Sequence, residues 1–454
     1  MPVRLIESLA TTPQLAELFS DDSVLEAMLD FEAALARTEA TLNIIPKTAA
    51  AAIVAAAKRE AFDASRLAAD ALLSGTPSIP LVEALRERVR ELDPPSAGFV
   101  HWGATSQDVA DTSLVLLLKR GQPTLEFDCV RLEKALHGLS ERHQNTVMAG
   151  RTLLQAAPPV PFGLKAAGWY GAIRRGHARL NASFEEALVV QFGGATGTVA
   201  VLGDEGVAVG RALAQELDLG YPDAPWHTHR DRLAAWLCAC GVLTASLGKM
   251  ARDLSLLMQS EVGEVAEPVA PGRGGSSTMP HKHNPVGCSV TLAAAHRVPG
   301  LVASFLSAMV QEHERAAGGW QAEWPIVAAV VEATGVALWS MAEVAEGLTV
   351  DEARMRLNMD ATRGAIFAEK ASMALGSSIG LEEAQRLLRE ATRRSQLEGR
   401  HLSEVLGEMP EVTKHLDPSV LRELESPEKY LGRADEFRKR LLSRPPKNSK
   451  RKKE

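Results

Sequence analysis

Only four cysteines occur in the 454 residues, Cys129, Cys238, Cys240 and Cys288, and no two of them stand as CxxC. That argues against a disulfide framework or a zinc ribbon. The start, MPVRLIESLATTPQ, lacks the apolar core of a secretory signal, so a reducing, cytoplasmic setting is expected. Aromatic residues make up only 5% of the chain and β-branched residues are sparse beside Ala, Leu and Glu, which points away from sheet and towards an all-α fold. Long uncharged apolar runs are missing too. A weakly charged stretch, Pro325 to Met341, contains Glu332 and is short for a bilayer span, so it predicts a bundle helix and no membrane partner. Nor is there a basic body to hold a polyanion. The formal charge is −7, and because the last twelve residues hold six Lys or Arg against one Glu, the remainder stands near −12. A charged run confined to a terminus predicts a solvated, disordered tail and no nucleic-acid partner.

What is present is helical periodicity. Val24, Met28, Phe31, Leu35 and Leu42 recur at helical spacing, with Ser23 and Glu26 fitting a capping box. From His229 to Glu261 an apolar stripe through Leu233, Trp236, Cys240, Leu247, Leu254 and Met258 predicts a helix of about nine turns. Segments 286–310, with Pro299 marking a kink or break, and 325–346 continue the pattern, so the middle of the chain reads as a bundle of long helices. Such helices also offer faces to other subunits. Shorter, more charged helical segments follow residue 350. The expected division is an N-terminal helical domain (1–110), a central long-helix domain (111–348), a C-terminal helical domain (349–442) and the basic tail (443–454).

Three polar loops interrupt the helices. The sharpest is PGRGGSSTMPHKHNP, residues 271–285, flexible at its glycine end and stiff at its proline end. No GKS or GKT follows Gly272, Gly274 and Gly275, nothing flanking gives GxSxG, and no HExxH accompanies His281 and His283, so a phosphate cradle, a hydrolase elbow and a metal site are not expected. The other loops are HWGATSQD, with Thr105, Ser106 and Asp108, and GRTLLQAAPPVPFG, with Thr152 and Gln155. Hydroxyls, a fixed cation and an amide suit the binding of carboxylates, whose oxygens each accept several hydrogen bonds. Lys282 would supply charge and Asn284 a donor where negative charge develops, and a serine with its pKa lowered by its surroundings can move a proton at carbon.

At these residues the chain resembles the fumarase/aspartase superfamily. GSSTMPHKHNP matches the signature GSSxMPxKxNP at every fixed position from Gly275 to Pro285. HWGATSQD at 101–108 and GRTLLQAAPPVPFGLK at 150–165 are similar to two further regions of that superfamily's adenylosuccinate lyases, as are QSEVGEVAEP at 259–268 and EHER at 312–315. The resemblance implies a three-domain, all-helical subunit with a central long-helix bundle. It further implies a homotetramer with a twenty-helix core, and active sites to which three subunits each bring one region. It implies elimination or addition β to a carboxylate through an aci-carboxylate carbanion, without metal or cofactor. Residue by residue it implies Ser276 as acid/base at the α carbon, Lys282 and Asn284 steadying the carbanion, and Thr105, Ser106 and Thr152 holding carboxylates. Gln155, His101, His229, His283 and Arg315 are further candidates for substrate binding.

One departure narrows the chemistry. Where many members carry a histidine after GRT, this chain has Leu153, which can transfer no proton. A strongly basic leaving group needs an acid there, whereas a carboxylate, with a pKa near ~4, leaves unassisted. The likeness in WHTHRDR and PHKHNP is to the superfamily's lactonising branch, in which a carboxylate of a conjugated tricarboxylate attacks its own chain. The alternatives are an adenylosuccinate lyase, against which stand Leu153 and Trp324 in place of an expected arginine, an aspartase-like ammonia lyase, and a catalytically dead crystallin-type protein, against which stand Ser276, Lys282 and Asn284.

Overall fold

The computed structural model describes residues 4–275 and 278–443, and within them the regular structure is helical apart from two small two-stranded antiparallel sheets. Ser276 lies outside the described residues. The first long helix, α1 (Asp21–Thr41), is capped by Ser20, whose hydroxyl accepts the Ser23 N–H, with Asp21 and Asp22 in the first turn facing the positive end of the helix dipole. The expected cap at Ser23 is therefore one turn late. Helix α2 is Ser78–Leu92, and α3 (Ser106–Arg142) is the longest at 37 residues. A hairpin follows, β1 (Val147–Thr152) with β2 (Gln155–Pro161), where the sequence reading foresaw only a polar loop. Then come α4 (Phe162–Ala187), α5 (Asp231–Leu257), α6 (Val286–Ala308) and α7 (Gly319–Gly347), and short helices fill the remainder to Leu442. Helix α5 holds 27 residues, shorter than the nine turns expected. Pro299 does not break α6, nor do Pro123 and Pro325 break α3 and α7. A proline removes one helical hydrogen bond, and the buried apolar faces of these helices outweigh that loss.

The chain packs as two compact units. The first takes residues up to 130, 175–248 and 289–340; the second takes 131–174, 249–288 and those from 341 on. Every boundary falls inside one of the five helices α3 to α7. In the first unit Met28, Phe31 and Leu35 of α1 join Leu81, Leu85 and Val89 of α2, with Val190, Val209 and Leu213, in a core cluster. In the second, Val147 and Ala149 of β1 join a core of Leu375, Leu387, Leu402, Leu406 and Leu424 from the C-terminal helices.

By length and composition alone, α5, α6 and α7 are apolar enough to cross a membrane. Two of them are mostly buried inside the protein. Of the apolar stretch of α7, 67% is buried, against 33% for α6.

Candidate active site

In the first unit the HWGATSQD loop runs into the N-terminus of α3, and Asp108 in that first turn organises it. Its Oδ2 accepts the N–H groups of Thr105 (3.0 Å) and Gly194 (2.9 Å), and its Oδ1 accepts Gly193 N–H (3.0 Å) and faces His227 Nε2 at 2.7 Å. Four donors and the helix dipole offset the burial of this carboxylate. One turn on, Asp111 takes two bonds from Arg230 (2.7 and 2.9 Å), one from Trp320 Nε1 (3.0 Å), and one each from the amides of Gln107 (3.0 Å) and Gln191 (3.3 Å). Arg230 is wholly buried and donates on its other side to Glu323, at 2.5 to 3.0 Å. Burial holds the Glu323 carboxyl above its usual range, with Arg230 opposing that shift.

This network reaches Arg315. Its guanidinium donates to Gln107 Oε1 (3.2 Å) and Gly194 O (3.1 Å), while its buried Nε has no partner among the described residues. Burial lowers its pKa, and Asp108 and Asp111 oppose that. A planar fork with unused donors is suited to a carboxylate. Thr105 and Ser106 are half-buried at the helix start, and neither hydroxyl is bonded to a protein group among the described residues. His101 is half-buried with its Nδ1 2.6 Å from Glu32 Oε1. Of the two histidines in WHTHRDR, His229 is exposed and His227 is the one built into the network.

In the second unit Thr152 and Gln155 pair across the hairpin, both exposed. Between them Leu153 and Leu154 form a two-residue turn with φ of 49° and 67°, and Leu153 is 97% exposed. Such turns favour Asn-Gly, because a left-handed conformation costs other residues about 1–2 kcal/mol each. Next to the turn the hairpin is held by Arg151, which pairs with Ala156 and donates to both oxygens of the buried Glu264 (2.9 and 2.6 Å), a carboxylate that also accepts from Asn358 (2.8 Å). Burial pushes the nearby Lys165 amine down.

The signature loop is closed at its base by Asn284 N–H to Gly274 O, 2.8 Å. Gly274 has φ +70°, and an added Cβ would lie 2.9 Å from Asn284 O, so the closure requires glycine. Glu267 accepts the N–H groups of Gly287 (3.0 Å) and Cys288 (2.8 Å) and so caps α6, where the loop ends. Lys282 and His283 are exposed and Asn284 is half-buried. Sequence reasoning did not single out Gln107, Asp111, His227, Arg230, Glu323, Glu264 or Glu267. Gln107 stands in HWGATSQD, His227 and Arg230 in WHTHRDR, and Glu264 and Glu267 in QSEVGEVAEP, whereas Asp111 and Glu323 showed only as charge on otherwise apolar helices. Among the described residues no group of three or more His, Cys, Asp or Glu is placed to hold a metal ion.

The chain matches a family model described as "Lyase" over residues 7–300, and another described as "Adenylosuccinate lyase C-terminus" over 364–441. It is 47% identical over 444 residues to a 3-carboxy-cis,cis-muconate cycloisomerase of Bradyrhizobium diazoefficiens, covering 96% of this chain and 98% of the relative. It is 41% identical over 423 residues to a nitrosuccinate lyase of Streptomyces davaonensis, covering 91% and 89%. The crystal structure of the 3-carboxy-cis,cis-muconate lactonizing enzyme from Pseudomonas putida superposes with a TM-score of 0.90 at 44% identity, covering 96% of this chain and 98% of that one.

Proposed function

This chain belongs to the fumarase/aspartase lyase family and stands in it beside the 3-carboxy-cis,cis-muconate cycloisomerases, and on that footing we propose that it closes 3-carboxy-cis,cis-muconate into 4-carboxymuconolactone, a step of aromatic (protocatechuate, β-ketoadipate) catabolism in the cytoplasm. The observation that carries the reading is 47% identity over 96% of the chain to a relative of that name. Leu153 supports it, because the nucleophile is the substrate's own carboxylate and the group that departs in the reverse direction is a weak base.

In the forward step a carboxylate oxygen bonds to the carbon bearing the third carboxylate. The displaced electron pair moves to the neighbouring carbon and into its carboxylate, and that carbon then takes a proton. Ser276 delivers the proton, and Lys282 and Asn284 steady the charge that forms. Arg315, Thr105, Ser106 and Thr152 hold the carboxylates, with Gln155, His101, His229 and His283 as further donors. No redox change occurs, so the reaction calls for no redox cofactor.

The assembly belongs to the same proposal. Five long helices from each of four chains make a core of twenty, in keeping with a homotetramer of three-part subunits. The largely uncovered apolar face of α6 and the exposed Leu153 then find cover on neighbouring subunits, which share the active sites.

The test is ultraviolet absorbance. Lactonisation destroys the conjugated diene, so purified protein should bleach 3-carboxy-cis,cis-muconate. Turnover of nitrosuccinate or adenylosuccinate without any bleaching would replace this reading. Light scattering at the mass of a monomer would remove the tetramer.

A further inference from the structure

His101 occupies an expensive place. Its backbone is left-handed, with φ of 63°, in a residue that is neither Gly nor Asn, and such strain persists only where the surroundings overdetermine it. What holds the ring is Glu32 of α1, whose Oε1 accepts the Nδ1–H at 2.6 Å. The Glu32 side chain is 1% exposed, and its other oxygen has no partner among the described residues. A buried carboxylate with a single bond needs a positive partner, and this ring supplies it. The imidazole is 15% exposed, and its second nitrogen, Nε2, has no protein partner among the described residues.

We propose that Glu32 is a positioning residue for His101, gripping Nδ1 so that the ring is fixed in one orientation and its Nε2–H is left to donate to a substrate carboxylate. The proposal rests on the tricarboxylate reading of the site. It adds a residue from α1, outside every motif, and it gives His101 a charge-bearing task in place of proton transfer. The charged groups around the ring agree. Burial works against the imidazolium, but the charge and hydrogen bond of Glu32 outweigh it. Asp108 at the start of α3 adds to them and Arg86 of α2 subtracts, leaving the histidine above its ordinary value. Glu39, two turns along α1, is a poor rival for the proton-bearing ring. Burial and the Glu32 charge push its carboxyl up to about 9, so Glu39 carries its own proton at neutral pH.

The sign follows directly. Binding through a protonated His101 is present below the pKa of the ring and is lost as pH rises through it, so kcat/KM has a basic limb set by this group. In Glu32→Gln that limb should move down by at least about one pH unit. KM for the carboxymuconate should rise about tenfold at pH 7.5 with kcat changing less, and the His101 Cε1–H resonance, assigned against His101→Gln, should titrate correspondingly lower. Glu32→Asp keeps the charge but shortens the reach. It should raise KM while leaving the limb near its original position, and it serves if Glu32→Gln does not fold. A Glu32→Gln enzyme that is less heat-stable but has an unmoved limb, resonance and KM would overturn the proposal and leave Glu32 as a packing residue. Should the wild-type protein fail to bleach the diene, the resonance titration and the binding of tricarballylate, a saturated tricarboxylate, still test the pair. Failure of the function and failure of the pair are thus separate results.

Discussion

The start of α3 and the tip of the β1–β2 hairpin both carry residues suited to carboxylates, yet they are built on opposite plans. Around α3 the charges are buried and paired within the chain: Arg230 is clasped between Asp111 and Glu323, and Asp108 takes four donors. At the hairpin tip Thr152 and Gln155 are exposed, and two strained leucines stand in solvent. A buried charge must find its partners within the fold, because an unpaired one costs several kcal/mol. An exposed hydroxyl or amide can wait for its partner, since water satisfies it meanwhile. The first region is therefore a finished scaffold that aims Arg315. The second leaves its donors to solvent, where the proposed function gives them a substrate or a neighbouring chain to meet.

The comparison breaks most visibly at Arg230. Arg230→Ala leaves Asp111 and Glu323 facing each other without their shared cation, and about 3–5 kcal/mol of stability should be lost in urea unfolding. A loss below about 1 kcal/mol would mean that the network is not the scaffold it resembles. Next in size is Ser276→Ala, which tests the loop side: kcat should fall by at least about 10²-fold, with KM little changed and the urea midpoint unmoved. Near-normal turnover would remove the proton-transfer role, and a collapse for Ser277→Ala alone would shift it by one residue.

Glu39 tests whether every buried charge follows the pairing rule. Its folded value of about 9 lies above the unfolded 4.5, so its carboxyl leaves stability intact below about pH 4.5 and erodes it as pH rises towards 9. Glu39→Gln should therefore stabilise the protein at pH 7 by on the order of 2 kcal/mol and flatten that part of the stability profile. An unchanged profile would show that Glu39 is ionised and paired. The smallest effect is at the tip. Replacing Leu153-Leu154 with Asn-Gly should relieve the turn and raise stability by about 1 kcal/mol, while lactonisation falls. If activity is untouched, the exposed leucines serve neither substrate nor neighbour.

Much of the helical layout was legible because apolar spacing reports directly on which face of a helix is buried, as in Leu233 to Met258 of α5 and its flank. Ends were less legible. Ser23 and Glu26 satisfied the capping pattern, but Ser20 stood one turn earlier with Asp21 and Asp22 behind it, and local pattern alone did not rank the two. The hairpin was hidden because its turn residues are leucines, which carry no turn signal. A reading by motif favoured His229, whereas packing buried His227 two residues away.

The sequence by itself determined the class of the protein: its helices, the polar segments that interrupt them and, through the signature at Gly275 to Pro285, its likeness to the fumarase/aspartase superfamily. These are properties of nearest neighbours and fixed spacings, which a linear string records. Only the tertiary structure decided which charges pair. Arg230 meets Asp111 from 119 residues away, Gln107 meets Arg315 from 208, and His101 meets Glu32 from 69. Such pairings depend on burial, where the cost of removing a charge from water selects its partner by distance in space, and no spacing along the chain encodes that distance.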